Sequence, residues 1–328
     1  MNKNILIASS SSDEHAYGPV AEVLERNHYP VVVYKADKVL SGEEVFTAGI
    51  AEDGDFAMSY QGSHITGEAL GAAWYRKISN FSLPDVDQDI AKQLYMNNEV
   101  RAAHDTIWSM IPDNLWLNSP DAITRADRKF GQLAVAHEVG FTIPQTIMSS
   151  DWNEIVVDLI EEHPEAIIKM FRGVISDKNI LKGMYTTRLN KDKINELALY
   201  TVPFPGLYQP FIEKSKEWRV TVVGDEVFAT AIYTQGAAKT DWREHQLSKN
   251  VKFNAEKLPT LVSEKCLRYL GELGLKFGAF DLIETKDGVI VFLECNPNGQ
   301  YGWLEEELGF PISKSIAKEL MQIARATD

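Results

Sequence analysis

Only two cysteines, Cys266 and Cys295, occur in 328 residues, too few for a disulfide framework or a four-cysteine zinc site, and their scarcity fits a reducing compartment. Positive charge is also short. Against 47 Asp and Glu stand 33 Lys and Arg, for a formal net charge of -14 and a pI near 5.0. That balance excludes an extended nucleic-acid footprint and favours basic partners at long range. No apolar run approaches the ~20 residues of a membrane helix. No basic then long apolar segment opens the chain, because Asn4-Ile5-Leu6-Ile7-Ala8 gives way at once to four serines. A cytoplasmic protein with neither nucleic-acid nor membrane partners is expected. Internal repeats and low-complexity tracts are absent, and so is the Gly-x-Gly-x-x-Gly turn of a dinucleotide fold.

What is present is an apolar content of 45%, enough for a substantial interior, on a length that suggests about two domains or one composite fold. The chain opens as strand, helix, strand over 5–8, 17–27 and 31–34, a βαβ pattern. Short strands with Gly turns follow over 43–65. A strand over 72–77 ends in Arg76 and Lys77, which suit a phosphate or a peptide acid as well as a solvated strand end. Helices are predicted over 85–110 and, after the helix-start chemistry of Asn118-Ser119-Pro120, over 121–139, with Gly140 as the stop. Helices over 258–273, capped by Gly274, and over 313–326 complete the pattern.

Three stretches carry chemistry. Lys169 interrupts the apolar strand 167–171, and a cation in a buried run is costly without an anion, whereas an edge position would leave it solvated. In Gln209-Pro210-Phe211-Ile212, Pro210 has a carbonyl to accept from an adenine amino group and Ile212 an N–H to donate to a ring nitrogen. Two β-branched runs flank Thr285-Lys286-Asp287-Gly288, a hairpin signal. With Asp287-Gly288 as a two-residue turn, Asp281 stands opposite Glu294, and Asn296 shares the face of Glu294 while Cys295 points away. Carboxylate and amide oxygens so grouped suit Mg²⁺, which usually bridges to substrate phosphates. Acids merely facing solvent are the bland alternative.

The Asp281, Glu294-x-Asn296 hairpin resembles the ATP-grasp superfamily, whose last core strands carry these Mg²⁺ ligands. Asn118-Ser119-Pro120, Asp127-Arg128-Lys129 and the 140–146 segment are similar to its opening stretch. The resemblance implies that Lys129 and Lys169 reach nucleotide phosphates, that Gln209, Pro210, Phe211 and Ile212 form the adenine hinge, and that Glu217 holds the ribose hydroxyls. It gives Arg219 and Arg243 the reacting phosphoryl or carboxylate; His245 beside Arg243 has at most a minor claim as a base. A loop at 172–176 would cover the phosphates, with one glycine where many relatives have several. The implied fold is α/β (α+β), an ATP-grasp fold with an N-terminal βαβ-type pre-ATP-grasp domain, divided 1–117, 118–200 and 201–328.

The segments 293–305 and 242–245 look most like the microviridin-type ligases, or graspetide synthetases. That resemblance implies ATP and Mg²⁺ as cofactors, a homodimer, and a ribosomal precursor peptide as partner. Its Asp/Glu side chains would be activated as acyl phosphates and closed onto Ser/Thr hydroxyls or Lys amines. A leader peptide would lie on 177–189, and Arg76, Lys77, Arg172 and Lys182 would offset the acidity of the core peptide. A ligase acting on a free amino acid and a noncatalytic nucleotide-binding module are the alternatives.

Overall fold

The computed structural model describes residues 2–78, 90–155, 159, 161–169, 171, 174–177, 180–183, 187–200, 206–235 and 250–327. Strands β1 (Asn4–Ser9) and β2 (Val31–Lys35) pair in parallel through helix α1 (Glu14–Arg26), and the short α2 (Ala36–Leu40) follows. An antiparallel sheet of β3 (Phe46–Ile50), β4 (Phe56–Tyr60) and β5 (Ser63–Thr66) comes next, before β6 (Leu70–Tyr75) joins the far side of β1. Helix α3 (Ile90–Ser109) buries Ile107 and Trp108 against Tyr34 and Leu6.

The helix expected over 121–139 is broken. It divides into α4 (Pro120–Ala126) and α5 (Lys129–Glu138), because Arg128 adopts an extended backbone that starts a new helix at Lys129. Ser119 is the N-cap of α4, its Oγ accepting from the Ala122 N–H, with Pro120 at the first helical position.

A four-stranded sheet in the order β11, β8, β12, β7 is assembled from β7 (Ile147–Ser149), β8 (Ala166–Lys169), β11 (Thr187–Leu189) and β12 (Gly206–Pro210). Helices α6 (Trp152–Ile155) and α7 (Lys191–Tyr200) supply Ile155 and Ile194 to its small core. Between β8 and β11 a separate hairpin pairs β9 (Val174–Asp177) with β10 (Ile180–Gly183). Residues 174–176 are thus strand, not the expected covering loop, while Arg172 and Gly173 lie outside the described residues.

The largest sheet is antiparallel, in the order β15, β14, β13, β16, β17. Its strands are β13 (Lys216–Val223), β14 (Glu226–Thr234), β15 (Val251–Ala255), β16 (Phe277–Glu284) and β17 (Ile290–Asn296). Alternation sorts its residues. Trp218, Val220, Phe280, Leu282, Phe292 and Cys295 pack on α5 and on α8 (Thr260–Leu273), leaving the opposite face to polar groups. After α9 (Gly302–Leu308), the closing helix α10 (Ile312–Arg325) packs on α1 and β6, so the C-terminus is built into the core of the opening unit. No helix among the described residues is long and apolar enough to cross a membrane.

Candidate active site

Asp281 does stand opposite Glu294, but by a different route from the one expected. The turn holds three residues, Lys286-Asp287-Gly288, closed by Thr285 and Val289, with Gly288 at φ 79°. A regular ladder from that turn would set Glu294 opposite Phe280, on the apolar face. A bulge at Leu293 adds one residue to β17 and rotates Glu294 back to the polar face, opposite Asp281, with Asn296 opposite Ala279.

On that face Arg219 lies in register with Asp281 across β13 and β16, its Nη1 donating to Oδ1 at 2.9 Å. Its Nη2 donates to the Gln300 carbonyl at 3.1 Å, while its buried Nε has no hydrogen-bond partner. Glu217, two residues earlier on the same face, is buried and paired with Lys214 at 2.8 Å. Lys129, the first residue of α5, reaches Glu294 at 3.0 Å. Each carboxylate of the expected pair thus carries a cation.

The backbone behind these groups is held by residues that sequence reading missed. Gln132 is buried on α5 and grips Cys295, the residue between Glu294 and Asn296, by both backbone groups. Its only sequence signal is a polar side chain one turn before Ala136 on the buried stripe of the helix. Asn118 likewise donates to the carbonyls of Phe277 and Pro297 and accepts from the Lys276 and Phe277 N–H groups. Gly299 leaves no room for a side chain, since a Cβ there would lie 2.4 Å from the Ala279 Cβ and 2.9 Å from Arg219 Nη2.

Arg76 is not available to a phosphate or a peptide acid. Fully buried, it bonds Asp13 at 2.7 Å, the carbonyls of Asn298 and Gly299, and the Gln300 side chain, between the rings of Trp74 and Tyr301. Lys77 beside it is half-buried.

On the four-stranded sheet Lys169 is half-buried at the end of β8 and opposes Leu207; Gln209 opposes Ile167, so Lys169 and Gln209 share the face turned away from the small core. The buried Oε1 of Gln209 has no hydrogen-bond partner, although its Nε2 donates to Thr146. The Phe211 N–H is taken by the Glu165 carbonyl, whereas the Ile212 N–H meets no acceptor among the described residues. The Arg188 guanidinium lies 3.5 Å from the Phe211 ring centroid, a contact the sequence did not disclose. Arg243 and His245 lie outside the described residues, and no side chain of 172–186 is described, Lys182 included.

Among the described residues no three His, Cys, Asp or Glu converge as a metal cluster. A metal here would rest on Asp281, Glu294 and the amide oxygen of Asn296, which also accepts the Asn298 N–H. This donor set of hard oxygens, flanked by Lys129 and Arg219, fits Mg²⁺ shared with phosphates. The open Gln209 and Ile212 groups fit a hydrogen-bonding ring such as adenine. Burial pushes the Cys266 and Cys295 thiols up, away from reactivity.

No protein-family model matches the sequence, and no curated protein matches it. Solved structures do. A RiPP-associated ATP-grasp ligase of Chryseobacterium gregarium, in complex with ADP and a leader and core peptide, superposes with a TM-score of 0.85 at 28% identity, over 98% of this chain and 97% of that one. The macrocyclase MdnB of Microcystis aeruginosa MRC matches with a TM-score of 0.76 at 25% identity, over 97% and 99%. MdnC of the same strain, bound with precursor peptide MdnA, has the same fold, with a TM-score of 0.81 at 24% identity over 97% and 99%. Superposed on such enzymes over 97% and 98% of its length, and with an acidic, cation-lined sheet face, the chain is an ATP-grasp ligase similar to the RiPP-associated enzymes.

Proposed function

We propose that this ligase uses ATP to activate Asp or Glu side chains of a ribosomal precursor peptide and closes them into intramolecular esters or amides, releasing ADP and phosphate. The observation that carries the reading is the cross-strand pair of Arg219 with Asp281 beside Lys129 with Glu294, on one face of one sheet.

In this reading Asp281, Glu294 and Asn296 hold Mg²⁺, which when bound neutralises charge on the polyphosphate during in-line transfer. Lys129 and Lys169 draw the phosphates in. Gln209, Pro210, Phe211 and Ile212 read the adenine edge through the open Gln209 Oε1 and Ile212 N–H. Glu217 takes the ribose hydroxyls. Arg219, with Arg243, orients the substrate carboxylate, because a guanidinium fork grips a carboxylate or phosphoryl group bidentately and keeps its charge. A carboxylate oxygen bonds the γ-phosphorus as the bond to ADP breaks. The hydroxyl or amine then bonds the acyl carbon, loses its proton and expels phosphate. The protein supplies positioning and electrostatic stabilisation.

We also propose the division 1–117, 118–200 and 201–328, a homodimer, and a reducing, cytoplasmic setting that suits the two buried free thiols. Sedimentation tests the dimer. Incubation with MgATP and a precursor peptide rich in Thr, Ser, Asp and Glu tests the reaction: each ring formed removes one water from the peptide mass. Product formed from free glutamate, with the peptide mass unchanged, would instead support a free-amino-acid ligase.

A further inference from the structure

Three cations gather where β6 ends, and two of them are neutralised within the protein. Arg76 pairs with Asp13, and Arg219 pairs with Asp281. Lys77 is half-buried and has no hydrogen bond or ion pair among the described residues; the charges it feels are those of Arg76, Asp13 and Arg219. Burial first, then Arg76, lowers its pKa to about 8, as expected of a cation short of an anion.

Lys77 is also held in place. The Arg76 N–H is bound to the Ala8 carbonyl, Arg76 is fully buried, and Ile78 is buried in the core of the opening unit. Between these anchors the backbone turns left-handed, with Lys77 at φ 48°. The other non-glycine residues with positive φ have local reasons: His28 follows the end of α1, and Gln61 starts the two-residue turn between β4 and β5. Lys77 leads into the turn at Ile78.

We propose that Lys77 is a specificity-determining residue of this ligase, whose ammonium group binds the substrate carboxylate presented to Arg219. The proposal rests on the peptide-ligase reading above and adds to it a residue from the opening unit. Of these three described cations Lys77 alone has no acid partner, and one carboxylate balances it. A glutamine or asparagine in the substrate would leave that cation unpaired, so the enzyme rejects the amide by losing an interaction, not by a steric fit.

The test crosses two enzymes with two peptides in the presence of MgADP: wild type and Lys77→Met, against a synthetic precursor peptide with a glutamate acceptor and its glutamine counterpart. Binding is read by fluorescence anisotropy. Lys77→Met is expected to weaken the glutamate peptide about tenfold or more, to leave the glutamine peptide unchanged, and to leave ADP affinity unchanged. Lys77→Arg should restore part of the loss.

Equal weakening of both peptides, no weakening of either, or a loss of ADP affinity alone would overturn the proposal. The last result would make Lys77 a nucleotide-phosphate ligand. Should wild type itself fail to distinguish the two peptides, the peptide-ligase reading fails, and this proposal with it. Competitive amine labelling of wild-type Lys77 gives a readout free of variants. Its titration is expected to move up on adding the glutamate peptide and to stay near 8 with the glutamine one; no movement with either would contradict the assignment.

Discussion

Gln132 binds Cys295 as a neighbouring strand would: its Nε2 donates to the Cys295 carbonyl at 3.0 Å and its Oε1 accepts the Cys295 N–H at 2.9 Å. β17 is an edge strand of its sheet, and the Thr142 carbonyl takes the Phe292 N–H at 2.9 Å further along. An edge so fastened keeps Glu294 and Asn296 from fraying.

Replacing Gln132 with alanine strands the Cys295 N–H and carbonyl and the Ala126 carbonyl, which Nε2 also reaches. The expected loss is about 2–4 kcal/mol of stability, seen as a lower urea midpoint, with weaker Mg²⁺ dependence of ADP release in the folded variant. Gln132→Glu, able to accept but not to donate, should fall between alanine and wild type.

Asp281→Asn and Glu294→Gln remove charge from the polar face with little change in shape. Both are expected to fold and to lose ADP release by about a hundredfold or more, in line with the loss of a preorganised electrostatic partner. Circular dichroism and a coupled ADP assay separate the two effects. Activity retained in both variants would remove the metal assignment.

Gly299→Ala places a Cβ against the Ala279 Cβ and Arg219 Nη2 at 2.4 and 2.9 Å. Overpacking at such a site costs roughly 1–3 kcal/mol. Arg219 must shift with it, so substrate-dependent ADP release should fall further than thermal stability alone accounts for.

His104 is buried against Trp108 and hydrogen-bonded to Tyr34, and burial lowers its pKa from 6.5 to about 4. The unfolded chain therefore binds a proton that the folded protein refuses between these values. Stability from this group is full above pH 6.5 and declines as pH falls toward 4, by roughly 3 kcal/mol in total. Urea denaturation at several pH values should show this slope, and His104→Gln should flatten it.

The hairpin was legible because a turn signal separates two β-branched runs, and the pairing of Asp281 with Glu294 followed. The three-residue turn and the bulge at Leu293 were not, since each shifts the register by one and their effects cancel. The break at Arg128 was hidden because no proline or glycine marks it, and its consequence, Lys129 beside Glu294, joins residues 165 apart in sequence. Arg76 read as a ligand for a phosphate or peptide acid, or as a solvated strand end. Its partners lie 63 positions upstream at Asp13 and more than 220 downstream at Asn298 to Gln300, a separation that local patterning does not encode.

We propose that the Asp281 and Glu294 face directs the terminal phosphoryl group of ATP onto a peptide carboxylate. The most direct measurement follows a heavy-oxygen label placed in the acidic side chains of the precursor peptide. Transfer through an acyl phosphate carries one labelled oxygen into the released phosphate for each ring closed. Rings closing with unlabelled phosphate, or labelled phosphate forming equally well with Asp281→Asn, would contradict it.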